Sequence, residues 1–211
     1  MDTRRLVMGD WSRVVRDGID VLRAGLVLGA VVAAVLGELG SAVVLGVAAG
    51  LALVARWVDL PRPYDWGFVL VIGLHAVGEA IGWYDTVEWF DRVVHVVLPC
   101  LSAPVLYIGL ARLDVLPDPR DETHARHYVG MGIVTFCLGM AVGGLWEIVE
   151  WTSDGLLGTE LSEGNTDTVG DLLADSVGAV LGALLLVAWA RWGWGSVRRV
   201  EGVNTYEAVD G

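Results

Sequence analysis

The sequence predicts an all-α, polytopic membrane protein, a bundle of about six transmembrane helices preceded by an interfacial amphipathic helix. Composition is the first indication, because 55% of the 211 residues are hydrophobic and the mean hydropathy is +0.57, too apolar for an ordinary soluble domain. Apolar runs are the second, since each is long enough, at 1.5 Å per residue, to cross most or all of a hydrocarbon core about 30 Å thick. Proline-containing connections at 60–63 and 116–119 then separate some of the runs.

The apolar runs define a membrane domain over residues 22–190, with predicted spans at about 22–37, 40–57, 66–83, 92–110, 128–151 and 168–190. Before it, residues 1–21 place apolar side chains three and four positions apart between arginines, a pattern typical of an amphipathic helix on the cytoplasmic face. No convincing small-residue cleavage site follows the first run, which indicates a retained span rather than a signal peptide. Residues 191–211 are predicted to form a cytoplasmic tail.

The arginines predict the orientation of this topology. All 14 basic residues are arginine, and only Arg92 falls on the side of the membrane opposite the other arginines. By the positive-inside rule, both termini are cytoplasmic and the protein belongs to the cytoplasmic membrane. Thirteen of the 26 acidic residues, the first Glu38 and the last Asp175, then face outward against Arg92 alone, so the net charge of −12 belongs to the outer half. This acidity, without lysine and with a pI near 4.6, is typical of a salt-adapted protein, in which an acidic surface alone does not indicate a site.

Polar residues in the third to sixth spans converge near the outer ends of those spans. Their helical spacing puts each set on one helix face. Most of these polar residues are carboxylates. Two like charges about 6 Å apart repel by roughly 3 kcal/mol at an effective dielectric near 20, so the carboxylates cannot all be ionised and unpaired. The predicted metal ligands are Asp91, His95, Glu147, Glu150, Asp167, Asp171 and Asp175, and the supporting residues are His75, Glu79 and Arg92.

Three functions fit this constellation. Carboxylates and imidazoles suit a divalent ion such as Zn²⁺, Mn²⁺ or Mg²⁺, which could activate water or hold the phosphate of a lipid-linked ligand. The same residues could instead form a proton or cation path, or a solvated acidic mouth without a cofactor. Asp167 is also predicted as the N-cap of the last span, and residues 152–166 as either a lid or a flexible connection. Membrane lipids are the expected partners, and the lack of a basic outward surface argues against nucleic acid.

Three motifs carry a family resemblance: Asp91-Arg92-x-x-His95, Glu147-x-x-Glu150-Trp151, and Asp167-Thr168-x-x-Asp171-x-x-x-Asp175-x-x-Gly178. In these the chain resembles uncharacterised prokaryotic inner-membrane proteins of the YjdF type, which are themselves similar to VanZ-like membrane proteins. The resemblance covers roughly residues 66–190. It implies an integral membrane protein with no settled activity, and it leaves the reaction, the ligand and the oligomeric state open.

Overall fold

The computed structural model describes residues 17–58, 60–119, 125–159, 161–162 and 164–192. All regular secondary structure in these ranges is helical, which confirms the predicted all-α fold. The predicted amphipathic helix before Asp17 and the predicted tail beyond Trp192 lie outside the described residues. In chain order the helices are α1 (Gly18–Leu36), α2 (Leu39–Val58), α3 (Arg62–Ala80), α4 (Trp83–Thr86), α5 (Phe90–Arg112), α6 (Ala125–Leu157) and α7 (Asn165–Trp192).

Five of the described helices, α1, α2, α5, α6 and α7, are long and apolar enough to cross a membrane. The chain is therefore a multi-pass membrane protein. The remaining long helix, α3, has 19 residues but includes Arg62, Asp65 and Glu79, which lower its mean hydropathy. It packs against α1, α2 and α5 as part of the bundle. The sixth span stays a prediction that falls on α3.

The helix ends differ from the predicted ones for local reasons. α1 begins four residues early because the Asp17 side chain caps it, accepting a hydrogen bond of 3.2 Å from the backbone N–H of Ile19. It ends at Gly37, whose φ of 85° lies in the left-handed region that glycine adopts without strain. At the other end of the chain, α6 continues to Leu157, so residues 152–157 are helical rather than part of a connection.

Close helix contacts bring α5, α6 and α7 together around the predicted site. A methyl group added at Gly178 would overlap the carbonyl oxygen of Val96, and one at Gly182 would lie 2.6 Å from the carbonyl oxygen of Cys100. On α6, a methyl group at Gly139 would lie 2.6 Å from the Cβ of Ala179. Small residues let membrane helices pack backbone to backbone in this way. The three helices therefore form a tight unit, which α3 joins through its contact with α5.

Candidate functional site

The predicted site lies where α5 and α7 begin and where α6 approaches its end. His95 is at its centre, because the carboxylates of three helices surround its ring. Its Nδ1 atom lies 3.2 Å from Asp175 Oδ1 on α7 and 4.0 Å from Glu147 Oε1 on α6. Its Nε2 atom lies 3.4 Å from Asp91 Oδ1, one turn earlier on α5. The structure thus brings together the predicted residues of three spans.

Most of these side chains are buried. The exposed fraction is 4% for His95, 8% for Glu147, 2% for Asp171 and 1% for Asp175. Burying a carboxylate is expensive unless a charge or hydrogen bonds compensate it. For each of these acids, a neighbouring group that offsets the cost of burial therefore has to be identified.

The buried acids are compensated unequally. Asp171 Oδ1 lies 3.4 Å from Nη1 of Arg92, which also approaches Asp167 at 4.0 Å. Asp171 Oδ1, Glu147 Oε1 and Asp175 Oδ2 all lack a hydrogen-bond partner within the described ranges, but Asp171 has the guanidinium of Arg92 beside it. Glu147 and Asp175 lie beside the His95 ring instead, and the Glu147 side chain also forms a hydrogen bond with Thr168.

His95 belongs to two donor sets, that is, groups of side chains that could ligate one metal ion. The first is His95 with Glu147 and Asp175, all buried, and the second is His95 with Asp171 and the half-buried Asp91. In each set the ligand atoms lie within 4.8 Å of one another. Tetrahedral zinc with bonds of about 2.0–2.2 Å places its ligand atoms about 3.3–3.6 Å apart. The side chains of either set would have to close by up to about 1 Å to hold a metal.

A small cleft of about 10 Å³, enough for a single water molecule, opens beside the buried donor set. Its apolar walls are Val94, Leu98 and Trp146, and its polar walls are His95 and Asp175. Gly143 completes the lining, and a methyl group there would overlap the Asp175 carboxylate. The glycine therefore leaves the space that the acid occupies.

Asp167 and Arg92 lie at the edge of the cluster. α7 begins at Asn165, so Asp167 is in its first turn and the predicted N-cap role is wrong. The chain turns into the helix earlier, at Gly164, whose φ of 110° suits glycine. Half of the Arg92 side chain is exposed, and Gly170 makes room for its guanidinium, which a methyl group there would overlap.

Three other predicted residues stay outside both donor sets. Glu150 is buried, but its Oε1 accepts a 2.7 Å hydrogen bond from Nε1 of Trp146. Nδ1 of His75 forms a 2.6 Å hydrogen bond with the Tyr84 hydroxyl, and the His75 ring packs edge-on against Trp146 with the ring centroids 4.7 Å apart. Burial raises the pKa of Tyr84, so its hydroxyl stays protonated and can donate. Glu79 is exposed.

The connection between α6 and α7 is shorter and better held than predicted. Asp154, in the last turn of α6, accepts hydrogen bonds from the hydroxyl of Thr159 at 2.7 Å and from the backbone N–H groups of Leu161 and Ser162 at 2.8 and 3.0 Å. One carboxylate therefore ties the described part of this connection to the helix before it. A lid function stays a prediction.

A comparison with known families places the chain. A family model described as "Predicted membrane protein (DUF2238)" matches residues 21–192. The chain belongs to this family. All ten predicted site residues lie inside the matched range, as does every helix except the first three residues of α1. No curated protein and no solved structure matches the chain.

A second group of buried charges, at the other end of the bundle, was missed by the sequence analysis. Arg23 on α1 pairs with Asp20 at 2.5 Å and with Asp65 on α3, while Arg56 Nε on α2 lies 3.5 Å from Asp20. Arg23 Nε also donates to the carbonyl of Ala52 at 3.1 Å. A signal existed, because Asp20 and Arg23 are three residues apart and bound the first apolar run. In the sequence analysis the two arginines served only to orient the protein, whereas the helices bury all four charges as balanced pairs.

Proposed function

We propose that the protein holds one divalent metal ion between His95, Glu147 and Asp175, and that the ion binds or acts on a phosphate-bearing or lipid-linked ligand. The observation that carries this proposal is the pair of buried oxygens, Glu147 Oε1 and Asp175 Oδ2, which lack hydrogen-bond donors within the residues that the structure describes. An acceptor left in this state is unfavourable by about 1–3 kcal/mol, and more when it is charged. A cation between the two acids would remove that penalty.

Charge balance supports a single divalent ion. Two carboxylates with a neutral imidazole match the charge of one dication, and this donor set suits Zn²⁺ or Mn²⁺, with Mg²⁺ as a harder alternative. Asp171 Oδ1 also lacks a hydrogen bond, but the positive charge of Arg92 lies 3.4 Å away and offsets its burial. Three protein ligands would also leave a coordination position open for water or for a ligand oxygen.

The surroundings of the site support the proposed ligand class. Arg92 is half exposed and lies next to the cluster, where its guanidinium can pair with phosphate oxygens. The cleft beside His95 has room only for a water-sized group, so an apolar chain would lie outside it, against exposed apolar side chains such as Ile148 and Val149, which follow Glu147 on α6. A molecule with a phosphate at one end and a lipid chain at the other has both kinds of surface. The resemblance to YjdF-type and VanZ-like membrane proteins is part of the same proposal, because the motifs that carry it contain His95, Glu147 and Asp175.

The hydroxyl groups deeper in the bundle argue against a proton or cation transporter. Ser102, Thr135 and Ser176 each donate to the carbonyl oxygen four residues earlier on their own helix, at 2.5, 2.7 and 2.7 Å. A proton path needs groups that pass protons onward from one helix to the next. Ser176 Oγ also lies 3.3 Å from Met140 Sδ on α6, but none of these hydrogen bonds leads to an ionisable group, so the metal site is the better-supported proposal.

Metal content of the purified protein tests the proposal. Wild type, Glu147→Gln and Asp175→Asn are dialysed against equal low concentrations of Zn²⁺, Mn²⁺ and Mg²⁺ and measured by elemental mass spectrometry. The matched controls are Glu88→Gln and Asp85→Asn, which make the same changes at exposed positions. We expect about one ion per chain in wild type and controls, and loss of the ion in the two site variants.

Two results would reject the metal site. A wild type as metal-free as Glu147→Gln would favour the solvated acidic mouth. Proton or cation flux in liposomes that depends on Glu147, without a stably bound metal, would favour the transporter. The double variant Glu147→Gln, Asp171→Asn is measured as well. Any ion that Glu147→Gln retains and the double variant loses is bound through Asp171, the acid beside Arg92.

A further inference from the structure

The two nitrogens of the His95 ring face different carboxylates. Nδ1 points to Asp175, at 3.2 Å, and to Glu147, while Nε2 points to Asp91, at 3.4 Å. Resting on the proposed metal site, we infer that Asp91 positions the His95 ring for metal binding through Nδ1 and is not itself a ligand. Asp91, His95 and Asp171 are then not a second metal site.

The chemistry of imidazole supports this division. A neutral ring binds a metal through one nitrogen and carries its proton on the other, which usually donates to a carboxylate or a carbonyl group. The two donor sets therefore compete for one ring. If the ion binds at Nδ1, the N–H group at Nε2 faces Asp91, and the ring orientation is fixed from both sides.

Burial and charge indicate which set holds the ion. Glu147 and Asp175 are at least nine-tenths buried, with the uncompensated oxygens described above, whereas the side chain of Asp91 is 32% exposed and can be solvated. Asp171 lies 3.4 Å from a guanidinium nitrogen of Arg92. A dication between Asp91 and Asp171 would be repelled by that neighbouring positive charge.

The helix itself fixes the Asp91–His95 pair. Asp91 lies in the first turn of α5 and His95 one turn later, a spacing at which side chains on one helix face meet. A carboxylate in the first turn is also stabilised by the helix dipole. Asp91 is therefore held in place without a metal, as a positioning residue must be.

Cobalt binding can separate a positioning residue from a ligand, because the visible bands of Co²⁺ report its ligands. Purified wild type, Asp91→Ala, Asp91→Asn and Glu147→Gln are titrated with Co²⁺ and followed by absorption. We expect one Co²⁺ per wild-type chain, and a 10- to 100-fold weaker affinity in Asp91→Ala with unchanged band positions. Asp91→Asn should recover most of the affinity, because its amide oxygen accepts the same N–H. Glu147→Gln should shift the bands and weaken binding further.

Other outcomes would overturn the inference. Two Co²⁺ per wild-type chain, or band shifts in both Asp91 variants like those of Glu147→Gln, would make Asp91 a ligand. Wild-type affinity in Asp91→Ala would remove the positioning role while the metal site stands. A wild type that binds no Co²⁺ would overturn the metal site and this inference together. If Asp91→Ala fails to fold, as judged by circular dichroism and gel filtration, the Asp91→Asn and Glu147→Gln spectra decide.

Discussion

Gly143 on α6 faces the carboxylate of Asp175 on α7 so closely that no side chain fits between them. The next residue, Gly144, has open space where its Cβ would be. We predict that Gly143→Ala destabilises the protein by about 1–3 kcal/mol, because the added methyl overpacks the site. Gly144→Ala should be neutral or stabilising by up to about 1 kcal/mol, since alanine favours helix.

Thermal unfolding in detergent, followed by circular dichroism, measures both effects. Gly143→Ala should also weaken Co²⁺ binding, because Asp175 must move. Equal melting temperatures for the two neighbouring variants would contradict the packing described here.

The α5–α7 contact provides a second prediction. Gly182→Ala places a methyl group 2.6 Å from the Cys100 carbonyl, and backbone cannot move aside as a flexible side chain can. We expect a loss of about 1–3 kcal/mol of unfolding free energy. Gly130→Ala on α6, where the added methyl meets nothing within 4 Å, is the control. A tolerated Gly182→Ala would mean that α5 and α7 are farther apart.

The buried charge pairs predict a large difference between two arginines. Arg23→Ala breaks the buried ion pairs with both Asp20 and Asp65, although Arg56 remains 3.5 Å from Asp20, and breaking a buried pair typically destabilises by about 3–5 kcal/mol. Arg62 pairs with Asp17 at 3.2 Å but is half exposed, so Arg62→Ala should lose less than about 1 kcal/mol. Chemical denaturation of the two variants side by side compares them, and similar losses would refute a special role for the Arg23 pairs.

A bound ion should stabilise the folded protein. An ion that binds only the folded state raises the unfolding free energy by about 2.7 kcal/mol at a concentration a hundred times its Kd. A chelator should therefore lower the melting temperature of wild type, but not that of Glu147→Gln. Divalent and monovalent salts must be compared at matched ionic strength, because general screening also relieves repulsion in so acidic a protein. A wild type that does not respond to chelator or to any divalent ion would support the solvated mouth.

The predicted orientation has a direct test. Because α6 is long and apolar enough to cross the membrane, reporters inserted before and after it should lie on opposite sides. The arginine asymmetry predicts that the α5–α6 connection is cytoplasmic and that the α6–α7 connection is outside. Reporter activity on the reverse sides would put the acidic site at the cytoplasmic face.

Hydrophobic runs are sufficient to predict the five helices that are long and apolar enough to cross a bilayer, because length and apolarity decide this, while the sixth predicted span, on α3, stays a prediction. The i,i+4 spacing of Asp91 and His95 likewise predicts one half of the site. Which side chains pair with each other across the contacts between helices could not be predicted from the sequence. Glu150 and Trp146 lie on the same face of α6, and the hydrogen bond from the Trp146 indole holds the Glu150 carboxylate away from the cluster. The start of α7 depends on the turn at Gly164, and the Arg23 pairs depend on how three helices approach one another.

The length of α6 has a consequence for the depth of the site. With 33 residues it is about 50 Å long, some 20 Å more than a hydrocarbon core, so it must tilt or extend into the headgroup layer. Arg126, an exposed residue at its start, is suited to anchor that end at one interface. Glu147 follows 21 residues later, about 32 Å along the axis. If Arg126 anchors its end at one interface and the tilt is small, the acidic cluster lies near the opposite edge of the hydrocarbon layer, where the phosphate-bearing ligand proposed above would meet it from the headgroup region.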